Sequence, residues 1–207
     1  MKGNTEGKKA CLLMNTKRAQ SARLLSITPR QRGILIGSLL GDGHLAKTTR
    51  GYAFRVNHGL VQKEYVDWKY QELSSLTNSV PNTYKSTYYF RTVSHQYFDE
   101  LRNLFYRGEK KIIPENIGHL LTPLAIAVWF MDDGTKEGKQ ARINSQSFTR
   151  EENQKLSHLL EATLGIKSTI NRDKHLFRLR ISNQSMSLFR NMVAPYIVPS
   201  MRYKLSL

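Results

Sequence analysis

The sequence predicts an α+β fold, built as a tandem, pseudo-twofold duplicate of a helix–strand–strand–helix–strand–strand–helix unit. Three observations predict it. An apolar, helix-length run ending in an acid and a glycine occurs twice: Gly33-Ile34-Leu35-Ile36-Gly37-Ser38-Leu39-Leu40-Gly41-Asp42-Gly43 and Leu124-Ala125-Ile126-Ala127-Val128-Trp129-Phe130-Met131-Asp132-Asp133-Gly134. After each run the hydrophobic period switches between alternating and helical in the same order. Residue matches recur in step: Arg55-Val56-Asn57 with Arg142-Ile143-Asn144, Phe90-Arg91 with Phe177-Arg178, Ser94-His95-Gln96 with Ser182-Asn183-Gln184, and Leu101-Arg102-Asn103 with Phe189-Arg190-Asn191. Their offset drifts only from 87 to 88, and it is 91 between Asp42 and Asp133. Chance supplies one such pair, not four in order. The chain therefore divides into a basic arm, 1–28, a first repeat, 29–113, and a second, 114–207.

In the first repeat, Thr28-Pro29 is a cap residue followed by proline in the first turn of a helix. Gly33, Gly37 and Gly41 fall at i, i+4 and i+8, on one helix face. Each glycine weakens a helix by roughly 1 kcal/mol relative to alanine, and the compensation expected is a second backbone packed closely on that face. The second run offers Ala125 and Ala127 for this, but Val128 and Trp129 stand where the first has Gly37 and Ser38. Gly43 and Gly134 sit where left-handed caps would fall. Two such helices packed side by side deliver Asp42 and Asp133 to one place.

Tyr52 to His58 alternates as a strand, and 62–76 has helical spacing that Asn78 to Pro81 breaks. A second strand region is expected from Tyr84 to Val93, a helix from Tyr97 to Tyr106, and a basic connector from Gly108 to Pro114 with Lys110 and Lys111. The second repeat follows suit. A helix from Leu124 to Asp133 leads to a strand at Gln140 to Ser147. Thr149-Arg150-Glu151-Glu152 is a capping pattern for a helix that runs to Leu164 and stops at Gly165. Strands at Lys167 to Asn171 and His175 to Ile181, a helix from Ser185 to Val193, and a tail containing Tyr203-Lys204-Leu205 complete it.

The 207 residues carry 32 Lys and Arg against 16 Asp and Glu, a net charge of +16 spread along the chain. Such an excess points to a polyanionic partner, because each neutralised phosphate releases condensed counterions. No apolar run reaches transmembrane length and no basic amphipathic helix dominates, which argues against a membrane partner. The single cysteine, Cys11, excludes intramolecular disulfides and cysteine-based zinc sites. The arm has no acid after Glu6, and reads as a transit peptide, a solvated extension or a DNA-hugging one.

Two carboxylates at a pseudo-twofold axis repel unless protonated or bridged by cations. On so basic a chain, divalent metal is the expected bridge, and oxygen ligands favour Mg²⁺ or Mn²⁺ over zinc. Metal between two acids on a phosphate-seeking surface suggests phosphodiester hydrolysis. Alternation puts Arg55 with Asn57, Arg142 with Asn144, and Arg178 with Arg180 on common strand faces. Arg, Asn, Gln and His read base edges in the major groove, which a β-ribbon can enter. A solvated strand face is the plain alternative for each. The aromatics Tyr88, Tyr89, Phe90 and Phe177 read as packing residues, and His58, His95, His119 and His175 lack metal-ligand spacing.

These residues carry a resemblance. The chain resembles the LAGLIDADG homing endonucleases in their single-chain, two-motif form, with Leu35 to Gly43 and Ile126 to Gly134 on the nine motif positions. Leu121-Thr122-Pro123, Trp129 to Gly134, Gln146-Ser147-Phe148-Thr149 and Tyr203-Lys204-Leu205 are similar to the yeast mitochondrial intron-encoded subgroup. The resemblance covers 29–207. It implies two antiparallel sheets forming a saddle over double-stranded DNA, and metal bound by Asp42 and Asp133 with the carbonyls of Gly41 and Asp132. It places Lys111 and Lys204 near the scissile phosphates, and His58 and Gln146 as residues that order water there. With these it groups Arg55, Asn57, Lys85, Arg91, Arg142, Asn144, Arg178 and Arg180 as DNA-binding. Three activities share this scaffold: an endonuclease leaving short 3′ overhangs, an RNA maturase acting on intron RNA, and a non-catalytic DNA-binding regulator. Retention of both acids and both lysines favours the first. A monomer encoded in a mitochondrion or chloroplast is implied, with bacterial or archaeal cytoplasm the other setting.

Overall fold

A computed structural model describes residues 17–205. In chain order the elements are a helix α1 over residues 17–23, α2 (Pro29–Leu40), β1 (His44–Thr48), β2 (Gly51–Gly59), α3 (Lys63–Glu72), β3 (Asn82–Tyr84), β4 (Thr87–Ser94) and α4 (Gln96–Phe105). A short hairpin of β5 (Tyr106–Arg107) and β6 (Lys110–Lys111) follows. Then come α5 (Pro123–Asp133), β7 (Gly134–Glu137), β8 (Gln140–Ile143), α6 (Arg150–Leu164), β9 (Ser168–Asp173), β10 (Leu176–Ile181) and α7 (Met186–Val193). The expected αββαββα order is present twice. One sheet runs β1-β2-β4-β3 and the other β7-β8-β10-β9, so the second repeats the first strand for strand, all antiparallel.

The chain forms two compact units: residues to Thr28 with His44–Arg102, and Pro29–Gly43 with Asn103–Leu207. In the first unit, β2 alternates as a half-buried strand should, with Val56 and His58 inward and Arg55 and Asn57 exposed. Phe54 meets Phe98 at 6.3 Å and Tyr70 sets its edge against Phe90 at 5.6 Å beneath the sheet. In the second unit, α5 is buried from Leu124 to Asp132, and Phe130 packs edge-on against Phe189 of α7 at 5.2 Å. Burial of an aromatic of this size contributes about 1.5–3 kcal/mol. The capping box of Thr149 and Glu152 opens α6, and Gly165, at φ +68°, closes it as the sequence predicts.

Five expectations need correction. Gly134 is not a left-handed cap: its φ is −75°, and neither it nor Gly43 is among the glycines with positive φ. Glycine is required at 134 because a Cβ would lie 2.3 Å from the carbonyl oxygen of Phe130. The strand expected from Tyr84 to Val93 is divided by a tight turn at Lys85, at φ +52°, into β3 and β4. The connector 108–114 begins as the β5–β6 hairpin, turned at Gly108 with φ +58°. The strand expected to reach Ser147 ends at Ile143, so Asn144 and Gln146 lie beyond it. Finally, Arg55 pairs across the sheet with Arg91, whereas Arg142 pairs with Arg180. By cross-strand pairing the counterpart of Phe90-Arg91 is therefore Leu179-Arg180, two residues further along than the sequence match suggests.

Of the basic arm, residues 1–16 lie outside the described residues. Residues 17–23 are helical, and Ala19 and Ala22 pack on Val93 of β4.

Candidate active site

The three-glycine stripe does what its spacing predicts. A Cβ on Gly37 would stand 2.3 Å from the Ala125 carbonyl oxygen and 2.7 Å from the Val128 Cβ, so the α2 and α5 backbones touch. A Cβ on Gly41 would fall 2.5 Å from that of Asp132. Val128, where a small residue was expected, packs directly into the gap above Gly37. Thr122 caps α5 by accepting from the Ala125 amide at 3.1 Å, with Pro123 in the first turn.

Because the helices run together, their ends converge. The Asp42 amide donates to a carboxylate oxygen of Asp132 at 3.3 Å, and oxygens of the two side chains lie within 4.8 Å of each other. Asp133 follows directly. Its carboxyl is pushed up to about 7, first by burial and then by the nearby carboxylates of Asp42 and Asp132, while Lys111 and Lys204 pull the other way. Three acids thus share one place. The Asp132 side chain is a member that sequence reasoning, which used only its carbonyl, missed; the Asp132-Asp133 doublet was the available signal.

The two lysines take matching positions. The ammonium of Lys111, on β6, donates to the carbonyl of Gly41 at 2.6 Å. That of Lys204, in a tight 3₁₀ segment (Pro199–Lys204), donates to the carbonyls of Met131 at 2.5 Å and Asp132 at 3.0 Å. Each lysine is therefore seated on the carbonyl of the residue preceding an acid. The β5–β6 hairpin, unforeseen as such, is what aims Lys111. Beside Asp133 opens a cleft of about 380 Å³ whose wall includes Lys136, Asn144, Tyr203 and Lys204.

The predicted recognition residues fall on two sheets. On the first, Arg55 lies over the Tyr89 ring at 5.5 Å and Lys85 over Tyr84 at 5.6 Å. Arg55, Asn57, Lys85 and Arg91 line one open groove of about 810 Å³. His58 points inward instead, 6% exposed with its ring 5.4 Å from Tyr65. On the second sheet, Arg142 and Arg180 both pair with Glu137, at 2.7 and 3.2 Å, and Arg178 pairs with Asp173 at 3.1 Å. Gln146 also donates to Asp173, at 3.0 Å, and Asn144 donates to the Thr135 hydroxyl at 3.2 Å. Glu137 and Asp173 were not anticipated, although isolated acids in such basic strands were visible in the sequence.

The chain has recognisable relatives among known proteins. The sequence model of the LAGLIDADG DNA endonuclease family matches residues 32–189. The chain is 31% identical over 220 residues to cytochrome b mRNA maturase bI2 of Saccharomyces cerevisiae, covering 94% of this chain but 51% of that protein. It thus spans about half the length of that relative. It is 31% identical to a probable intron-encoded endonuclease of Wickerhamomyces canadensis, over 84% of this chain and 83% of the relative. Among solved structures, the homing endonuclease I-WcaI bound to its DNA recognition sequence matches 92% of this chain and 91% of its own, with TM-score 0.84 and 27% identity.

Proposed function

Because this chain belongs to the LAGLIDADG DNA endonuclease family, we propose that it is a metal-dependent homing endonuclease that hydrolyses both strands of a long DNA target and leaves short 3′ overhangs. The observation that carries the reading is the acid cluster at the adjoining ends of α2 and α5, with a lysine seated beside each motif acid. A protein that only bound DNA would gain nothing from turning clustered carboxylates towards phosphates.

The donor set suits a hard divalent ion. It offers carboxylates and carbonyls, and burial, with the neighbouring carboxylates of Asp42 and Asp132, pushes Asp133 up to about 7. Asp42 and Asp133 hold Mg²⁺, with Mn²⁺ able to substitute, assisted by the carbonyls of Gly41 and Asp132. When bound, the ion supplies an activated water and neutralises charge on the leaving oxygen. Lys111 and Lys204 approach the scissile phosphates, while His58 and Gln146 order water. Arg55, Asn57, Lys85 and Arg91 contact DNA from the first sheet, and Arg142, Asn144, Arg178 and Arg180 from the second. The working unit is a monomer of two repeats, 29–113 and 114–207, preceded by the arm 1–28. Expression in an organelle, the mitochondrion first, fits relatives named for cytochrome b mRNA.

Duplexes selected from a library of intron-flanking DNA in Ca²⁺ and then transferred to Mg²⁺ test this. Cutting of both strands is the expected result. A selected duplex that stays intact in Mg²⁺ and Mn²⁺ would remove the catalytic reading. A second reading, an RNA maturase, is favoured by the two bI2 relatives, and preferential binding to intron RNA with stimulated splicing would establish it.

A further inference from the structure

The family match begins at residue 32, so α1 lies outside it, yet α1 completes a pocket. Within the first unit, Arg23 of α1, Arg50 of the β1–β2 turn and Arg91 of β4 line a pocket of about 320 Å³, with Thr48 and Asn78 in its wall. Arg91 also lines the open groove of the first sheet, so groove and pocket adjoin at that residue. The Nε of Arg23 is buried and has no hydrogen-bond partner. Among the described residues no carboxylate pairs with Arg23, Arg50 or Arg91, whereas Arg142, Arg178 and Arg180 of the second sheet are each paired. Three guanidinium groups held together repel, and a shared anion is the usual resolution.

The pocket is built rather than incidental. α1 is held by Ala19 and Ala22 on Val93, and its exit by a 2.8 Å contact between the His95 ring and the Leu25 carbonyl. The β1–β2 turn is stitched by the Thr48 hydroxyl, which donates to the Gly51 carbonyl at 2.9 Å and accepts from the Arg50 amide at 3.1 Å. Gly51 holds φ +101°, and the Tyr52 amide donates to Asp99 at 2.8 Å. The elements that carry the cations are thus fixed before a ligand arrives, which lowers the ordering cost of binding.

We infer that Arg23, Arg50 and Arg91 form a phosphate clamp that grips the backbone of duplex DNA beyond the first sheet, with α1 as its outer jaw. The inference rests on the DNA reading above, but not on cleavage. A clamp of this kind adds affinity and register without reading sequence.

The test is fluorescence anisotropy on a random-sequence duplex in Ca²⁺ across a KCl series, so no target site is needed. Arg23→Gln and, separately, Arg50→Gln should each make the slope of log affinity against log salt shallower by about one. Lys155→Gln removes the same charge from α6, where Lys155 pairs with Glu115, and should leave the slope alone. Circular dichroism melting checks each fold; should Arg23→Gln unfold, Arg50→Gln carries the test. Slopes equal to wild type in both arginine variants, or an equal shift in Lys155→Gln, overturn the clamp. An arginine effect confined to single-stranded RNA overturns the duplex assignment. Wild-type protein that binds no duplex ends the DNA reading and the clamp together, a result distinct from normal wild-type binding with unchanged variants.

Discussion

The two repeats share strand order, helix order and a lysine seated beside an acid, yet they finish these parts differently. In the first, Asp42 is exposed and the sheet arginines lie open or over tyrosine rings. In the second, Asp133 is half-buried, and Arg142, Arg178 and Arg180 are tied to Glu137 and Asp173. Duplication therefore preserved the frame, which packing dictates, while the surface chemistry diverged. Backbone contacts such as Gly37 on Ala125 leave no room for a side chain, whereas a strand face accepts a tyrosine or a glutamate equally well.

The sharpest way to break the comparison is at the acids. Asp42→Asn and Asp133→Asn should each abolish cleavage of both strands, by on the order of 10³-fold or more in single-turnover assays, while Ca²⁺-supported binding survives. A variant that stopped cutting only one strand would show that the repeats act independently.

Asp133 should also make stability depend on pH. The Asp133 carboxyl stands at about 7 against an ordinary 3.8, so its stabilising contribution is complete below pH ~4 and is lost as pH rises towards 7. Metal-free protein should accordingly weaken over that window by at most roughly 4 kcal/mol, as read from denaturant midpoints. Asp133→Asn should flatten the profile, and Mg²⁺ should restore stability near neutrality. Gly37→Ala comes next. Its Cβ would stand 2.3 Å from the Ala125 carbonyl, and the overpacking should cost about 1–3 kcal/mol and lower Tm by roughly 2–4 °C per kcal/mol. The smallest effect separates the sheets. Glu137→Gln frees Arg142 and Arg180, and should steepen the salt dependence of duplex binding by about one phosphate contact while altering stability by under ~1 kcal/mol.

Most of this was legible where sequence and packing obey one rule. Glycines at 33, 37 and 41 announced a close helix contact, and Thr149 with Glu152 announced the start of α6. What escaped depended on contacts distant in sequence. Gly134 looks like a cap because Asp-Gly usually is one, but the Phe130 backbone and ring fill the space. The two-residue slip between Phe90-Arg91 and its counterpart arose because the matching Phe-Arg letters of the second repeat lie two residues short of the pairing register. The pairing of Arg178 with Asp173 spans a tight turn at Lys174 that periodicity does not reveal.

The contact between α2 and α5 also has a consequence for biosynthesis. About 80 residues separate the end of α2 from the start of α5. At roughly 5–20 residues per second, α2 leaves the ribosome on the order of ten seconds before its partner exists. During that interval the face of α2 that carries Gly33, Gly37 and Gly41 has no α5 packed against it. A nascent chain halted anywhere between the helices is a natural client for chaperones, and stalled or truncated translation should leave an aggregating fragment rather than a working half.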